Sequence, residues 1–330
     1  SKLDRRVAIS MREVESADLV IGVGADPINE APMLALAMRQ AHRKGAKIAM
    51  IDPRPVFLPF DFEHLAVPPG LLDVCLSALA KPTIARRDAG KHGEAALGLY
   101  DQISSGYPSF DSALREKLVQ LAAALEQSQR PVIVCGTDIV PQTTVSLAAD
   151  FALLMGEAKN RASVFYVLPN ANSYGAALFD SVDDSSFADT LQAIENGSVT
   201  ALIIAESDPF RYVADQVRLK QAFDRLEFLL VLDYLPSETA RRAHIFLPSK
   251  TIFETNSSFV NQEGRLQFAE KIHSPGTPIW QASAGSHPPR LYGKGVPGGG
   301  PLAAWEVLLE IAATLSQPKG ETDGKDPWRV

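Results

Sequence analysis

Cysteine is almost missing from this chain: Cys75 and Cys135 are the two in 330 residues. An iron–sulfur cluster takes about four thiolates, and no CxxC pair occurs. The chain therefore holds no cysteine-ligated cluster of its own. Both cysteines read as small hydrophobes buried in a reducing compartment. Long apolar runs are missing too. None approaches the roughly 18 residues that a membrane-spanning helix needs, so no membrane insertion is expected. Lys plus Arg is 32 against 39 Asp plus Glu, a formal net charge of -7. Phosphate backbones demand clustered cations, so no nucleic-acid partner is expected. The six histidines (His42, His64, His92, His244, His273, His287) are scattered with no i, i+4 pair, and no metal site is expected. Nucleophile elbow, P-loop and HExxH are all absent. The chain opens Ser1-Lys2-Leu3-Asp4-Arg5 with no Met, basic segment or apolar segment. It is not a secretory start and reads as a piece of a longer protein.

What is present is an alternation of buried strands and helices. Hydrophobic residues are 46% and charged residues 22%, ordinary for a globular protein, and the length allows two domains. Ala17 to Gly24 is an apolar run ending in glycines. Pro32 to Lys44 is a helix with Met33, Leu34, Ala37 and Met38 on one face, closed by Gly45. Lys47 to Ile51 is a strand stopped by Asp52-Pro53-Arg54-Pro55. Leu65 to Val67 is a third strand, followed by a helix from Leu72 to Leu79. Residues 81–110 are polar without a sustained period and read as a connector. A helix capped by Asp111 or Ser112 carries Leu114, Leu118, Leu121 and Leu125. Pro131 to Gly136 is a strand and Thr143 to Met155 a helix. Strands at Ser163–Val167, Thr200–Ala205, Phe228–Asp233 and Ala243–Leu247 follow, with helices at Phe187–Ile194 and Gln216–Phe223. Residues 274–301 read as a loop, Ala303–Leu315 as a last helix, and residues 317–330 as a frayed end.

This grammar predicts an α/β protein. It has two Rossmann-like, doubly wound parallel-sheet halves and a loop-rich C-terminal segment. The expected boundaries are 1–155, 156–247 and 248–330. Gly24-Ala25-Asp26-Pro27 and Glu206-Ser207-Asp208-Pro209 form a weak internal repeat at the carboxyl ends of two strands, where open α/β sheets bind ligands. Gly22 and Gly24 do not complete GxGxxG, so they read as an ordinary strand-to-loop turn. Ser237 to His244 is a solvated, mixed-charge helix start. Phe253 to Gln267 has many side-chain hydrogen-bonding groups, which must find partners or water.

At those last segments a family resemblance enters. Ser237 to Ala240, Ala243 to Pro248, Glu254, and Ser258-Phe259-Val260-Asn261-Gln262-Glu263-Gly264-Arg265-Leu266-Gln267 resemble a signature of the molybdopterin oxidoreductase superfamily. Ala17 to Pro27 with Pro32, Gly45-Ala46-Lys47 with Asp52-Pro53-Arg54, and Glu206 to Pro209 resemble its other motifs, in order, over about residues 17–315. Within it the chain is most similar to the large iron–sulfur subunits of respiratory complex I, NADH-quinone oxidoreductase. Asn170 to Ala176 carries part of that likeness.

The resemblance implies a scaffold that supports electron transfer from NADH to quinone and has no catalytic residues. It implies iron–sulfur clusters in a preceding part, and that part and other peripheral-arm subunits as partners. It implies a place on the cytoplasmic face of the membrane. It also implies a vestigial cofactor pocket at Gly24, Asp26, Pro27, Asp52, Arg54, Gly70, Glu206 and Asp208. Glu238, Glu254, Asn261, Glu263, Gly264 and Arg265 are then structural, with Arg265 holding a carboxylate, Glu263 or Glu254, at a contact. The departures favour an empty pocket. Glu206 takes the glycine slot of the second loop, Asp26 stands where the pattern has Asn, and Leu71-Leu72 replace polar residues of the third. Two unit charges about 4 Å apart repel by about 4 kcal/mol at an effective dielectric near 20. The alternatives are a molybdenum-dependent oxidoreductase such as a formate dehydrogenase, which would bind molybdopterin dinucleotide, and a free-standing nucleotide-binding module.

Overall fold

The computed structural model describes residues 7–85, 90–105, 110–154, 162–179, 186–272 and 301–316. The chain divides into two units, residues 1–180 with 259–267, and residues 181–258 with 268–330. The expectations for residues 274–300 and 317–330 lie outside the described residues.

Among the described residues the first unit is built on five parallel strands. These are β1 (Leu19–Val23), β2 (Lys47–Ile51), β3 (Glu63–Leu65), β4 (Pro131–Gly136) and β5 (Ser163–Val167), in the order β3-β2-β1-β4-β5. The helices are α1 (Met11–Val14), α2 (Pro27–Glu30), α3 (Pro32–Arg43), α4 (Leu72–Ala85), α5 (Gly90–Ser105), α6 (Ser112–Gln127), α7 (Gln142–Leu154) and α8 (Ser173–Phe179). β1 is buried at every position, the mark of a central strand covered on both faces. Its Leu19, Ile21 and Val23 enter one core with α4, α6 and α7. Its Val20 enters the other, with Leu34, Ala37, Met38 and Ala41 of α3. Because β5 pairs with β4, the first unit runs past residue 155.

The connector expected over residues 81–110 is corrected. α4 runs on through Pro82 to Ala85, and α5 fills Gly90–Ser105. Tyr100 is buried, and Leu97 and Ile103 pack against the same core, a three-residue spacing that makes one apolar stripe. Polar neighbours dilute that stripe in the sequence.

Among the described residues the second unit carries three parallel strands, β6 (Ala201–Ala205), β7 (Phe228–Asp233) and β8 (Ile245–Pro248), in that order. α9 (Phe187–Glu195), α10 (Pro209–Tyr212), α11 (Gln216–Phe223) and α12 (Glu238–Arg242) accompany them. Leu191, Ile194, Leu219 and Phe223 cover one face with Val231. Leu230 and Leu232 meet α13 (Ala304–Leu315) on the other, through Ala304, Val307, Leu308 and Ile311. β9 (Ser257–Val260) and β10 (Leu266–Ala269) form a two-stranded hairpin within Phe253–Gln267 and just beyond it.

Candidate functional site

The strand order of the first sheet reverses between β1 and β4. Open α/β sheets bind ligands in the crevice at such a point, beyond the carboxyl ends of the strands. Gly24 follows β1 with a φ of +60°, and its N–H donates to Ile51 O at 2.9 Å. The backbone is packed tightly there. A Cβ on Gly136, at the end of β4, would stand 1.8 Å from Gly24 O. A Cβ on Gly24 would meet Val140 Cγ1 at 2.1 Å and Leu72 Cδ1 at 3.3 Å. Apolar side chains therefore occupy the flank of the loop. Leu72 is fully buried at the head of α4, and Gly70 lies in the 3-10 turn Pro69–Leu71 before it.

The polar residues beside this loop satisfy one another. The Asp26 carboxylate caps α2, accepting from Asn29 N at 3.4 Å and Asn29 Nδ2 at 2.6 Å, and Pro27 takes the first helical position. Glu30 accepts from Asp26 N at 2.9 Å. Asp52 is wholly buried at the end of β2. Its carboxylate accepts from Arg54 N (2.8 Å), Nε (3.0 Å) and Nη2 (2.9 Å), while Arg54 Nη1 reaches Glu30 at 2.5 Å. The Asp52 carboxylate, with help from Glu30, raises the Arg54 pKa well above its ordinary value. This guanidinium is committed to two carboxylates of its own chain.

The second unit builds the loop again. Glu206 follows β6 with a φ of +52°, and among the described residues no other non-glycine has a positive φ. Its N–H donates to Leu232 O at 2.7 Å, as Gly24 does to Ile51. Asp26 sits at φ -112°, ψ 89°, and Asp208 at φ -121°, ψ 88°, each followed by proline and a four-residue helix. Asp233 turns onto Leu235 N at 3.1 Å, as Asp52 does onto Arg54 N. The repeat read from the sequence is thus a repeat of backbone geometry. Side chains differ: Asp208 accepts from Thr239 Oγ1 at 2.6 Å, and Glu206 Oε1 from Ser249 Oγ at 3.3 Å. Desolvation of the carboxylate raises the Glu206 pKa above its ordinary value against the Ser249 bond, although the residue as a whole is exposed.

The motif of the hairpin is turn chemistry. Gly264 N donates to Asn261 O at 2.9 Å, and Gly264 adopts a φ of +74°. Asn261 Oδ1 accepts from Arg265 N, and its Nδ2 donates to Glu263, both at 2.9 Å. Arg265 Nε lies 3.5 Å from Glu263 Oε1. Glu254 turns elsewhere and accepts from Thr251 N at 2.8 Å. Glu238 pairs with Arg242 at 3.1 Å. Asn172 Oδ1 accepts from Val260 N at 2.8 Å, a bond within the first unit. Val140, Glu30, Ser249 and Asp233 were not legible as members of these loops. An Asp-Pro pair could have announced the helices α2 and α10, because proline suits the first helical position in both and Asp26 also caps the first.

Both cysteines are buried in the strand–helix core, and burial pushes each thiol up to about 12. Among the described residues no group of three or more His, Cys, Asp and Glu could hold a metal ion. Among them, too, no helix is long and apolar enough to cross a membrane.

Known proteins resemble this chain in sequence and in fold. The chain is 28% identical over 279 residues to the G subunit of NADH-quinone oxidoreductase from Pseudomonas fluorescens, covering 81% of this chain and 30% of that one. It is 23% identical over 276 residues to the corresponding protein of Escherichia coli K12, with the same coverage. The chain thus spans about 30% of the length of the curated relatives it matches. Among solved structures, acetylene hydratase from Pelobacter acetylenicus shares the fold with a TM-score of 0.59 at 11% identity, over 92% of this chain and 49% of that one. The formyltransferase/hydrolase complex of Methylorubrum extorquens gives 0.53 at 16% identity, over 80% and 72%. The family profile described as molybdopterin oxidoreductase matches residues 4–278, and the chain belongs to that family.

Proposed function

We propose that this chain is a molybdopterin-oxidoreductase-like scaffold within the large iron–sulfur subunit of an NADH-quinone oxidoreductase, without catalysis or a pterin cofactor of its own. Electrons pass from NADH toward quinone through clusters held elsewhere in the longer protein. Its partners are then the rest of that protein and the other peripheral-arm subunits, on the cytoplasmic face of the membrane. The likeness to the NADH-quinone oxidoreductase sequences supports the assembly.

The observation that carries the absence of a cofactor is the filled flank of Gly24. A pterin dinucleotide brings a pyrophosphate, which binds where backbone N–H groups face open space beside glycine. Here Val140 Cγ1 and Leu72 Cδ1 take that space. The equivalent position of the second loop carries a carboxylate side chain, Glu206, that would repel phosphate. Arg54, the cation of the first loop, is engaged by Asp52 and Glu30. These residues do not fit the group. Equilibrium titration of the chain with a pterin guanine dinucleotide tests the reading. No saturable binding is expected at micromolar ligand, and tight binding would return the chain to the molybdenum-dependent enzymes of the family.

A further inference from the structure

The three-stranded sheet of the second unit is covered unequally. Parallel sheets bury both faces under helices. One face here carries two of them, with Leu191 and Ile194 of α9 and Leu219 and Phe223 of α11 packed against Leu229 and Val231. Among the described residues the other face carries one, α13, over Leu230 and Leu232. The register shows what that single helix leaves out. Ile203, Leu230 and Ile245 stand abreast across the three strands, and so do Ala205, Leu232 and Leu247. Residues paired in this way turn their side chains to the same face. Leu230 and Leu232 are buried beneath α13, whereas Ile203 is 42% exposed, Ile245 46% and Leu247 38%.

α13 is itself written for more cover than it has. Apart from Glu306, Glu310 and Thr314 its residues are apolar, the composition of a helix buried on most sides. Ala304, Val307, Leu308 and Ile311 meet the sheet. Trp305 and Leu309, one turn apart on the flank of that stripe, are 60% and 62% exposed. Sheet and helix thus present apolar side chains on the same side of the unit, more than the single exposed residues that a surface normally scatters. The charges beside them are acidic. Glu306 reaches Lys250 Nζ at 3.7 Å. Glu310 is exposed and, among the described residues, pairs with no cation.

We propose that this face receives a second helix, packed beside α13 on the sheet and supplied by the longer polypeptide outside residues 1–330. The inference rests on the scaffold reading for one point, that a longer polypeptide exists. The chain spans about 30% of the length of the relatives it matches, so most of each relative lies outside the match. The helix is amphipathic. Its apolar stripe covers Trp305, Leu309 and the exposed residues of the sheet, and a Lys or Arg beside that stripe faces Glu310. A helix suits the place because its own N–H and C=O groups bond internally, so it can lie on apolar side chains without leaving backbone groups unpaired. It would give this face the two-helix cover of the other.

The test compares the 330-residue chain with the full-length protein purified in its complex. Hydroxyl-radical labelling of Trp305, Leu309 and Ile245 is expected to fall several-fold in the full-length protein. A photo-reactive phenylalanine in place of Leu309 is expected to cross-link to a segment of the same polypeptide whose apolar residues recur at spacings of three and four, with Lys or Arg among them. Glu310→Lys is expected to restore labelling of Trp305 in the full-length protein and to leave urea unfolding of the 330-residue chain unchanged. Equal labelling of the two proteins would overturn the proposal. So would a cross-link to another subunit, to a second copy, or only to residues 1–330. Labelling that stays low in Glu310→Lys would overturn the assigned cation. Molybdenum content of the same sample judges the scaffold reading separately: molybdenum together with the expected cross-link would sink the scaffold and keep the helix.

Discussion

Glu206 stands in the backbone position of Gly24. Both sit in the left-handed region directly after a strand, and both donate an N–H to the end of the neighbouring parallel strand. An L residue carries a conformational penalty of about 1 kcal/mol in that region, and glycine carries none. Glu206→Gly should therefore stabilise the second unit by up to about 1 kcal/mol at neutral pH, read by urea unfolding. Gly24→Ala should destabilise the first by more than that, because its new Cβ would also meet Val140 Cγ1. A neutral Gly24→Ala would show that the two loops are not equivalent.

Arg54 covers a wholly buried carboxylate. Arg54→Ala should cost about 2–3 kcal/mol, because Asp52 would remain buried and lose both guanidinium donors. This lies at the low end for a buried pair because the Arg54 side chain is 32% exposed. Arg54→Lys should recover little, since one ammonium cannot reproduce the two-pronged contact with Asp52. Chemical denaturation of both variants checks the pair of expectations.

Asp18 should shape the acid limb of stability. Burial alone would raise its pKa, but bonds from Ser128 Oγ and from the backbone N–H groups of Gln129 and Arg130 hold it below the ordinary value. An acid depressed by the fold contributes stability above its unfolded midpoint and loses it as pH falls through the folded one. Asp18→Asn should flatten the acid limb in a pH series of thermal unfolding and lower stability at neutral pH. An unchanged acid limb would remove Asp18 from that account.

The hairpin tip depends on one glycine and two asparagines. Gly264→Ala should cost about 1 kcal/mol for its positive φ. Asn172→Ala should free Val260 N and cost about 1 kcal/mol. Hydrogen exchange at Val260 and Arg265 distinguishes the two, since Asn172→Ala should expose the first amide and leave the second bonded to Asn261.

Strands were legible wherever β-branched and apolar residues ran unbroken. Lys47–Ile51, Pro131–Gly136, Ser163–Val167 and Phe228–Asp233 keep the bounds read from the sequence. α5 was not, because a stripe one residue wide in a polar stretch gives little periodicity. α4 was cut short because Pro82 reads as a stop, although the helix passes through it. α2 and α10, at four residues each, are too short for any period. In the candidate site the loops were legible from Gly24, Asp26, Asp52 and Glu206. Val140 was not, because nothing local to its sequence says that it fills the space beside a glycine more than a hundred residues earlier.

The central claim is that these loops form a scaffold and hold no pterin-bound metal. The most direct measurement is the molybdenum content of the full-length protein, purified with its complex from cells grown with molybdate. The account predicts molybdenum far below the amount of protein, with iron present. Stoichiometric molybdenum that is lost on deletion of residues 17–315 would contradict it.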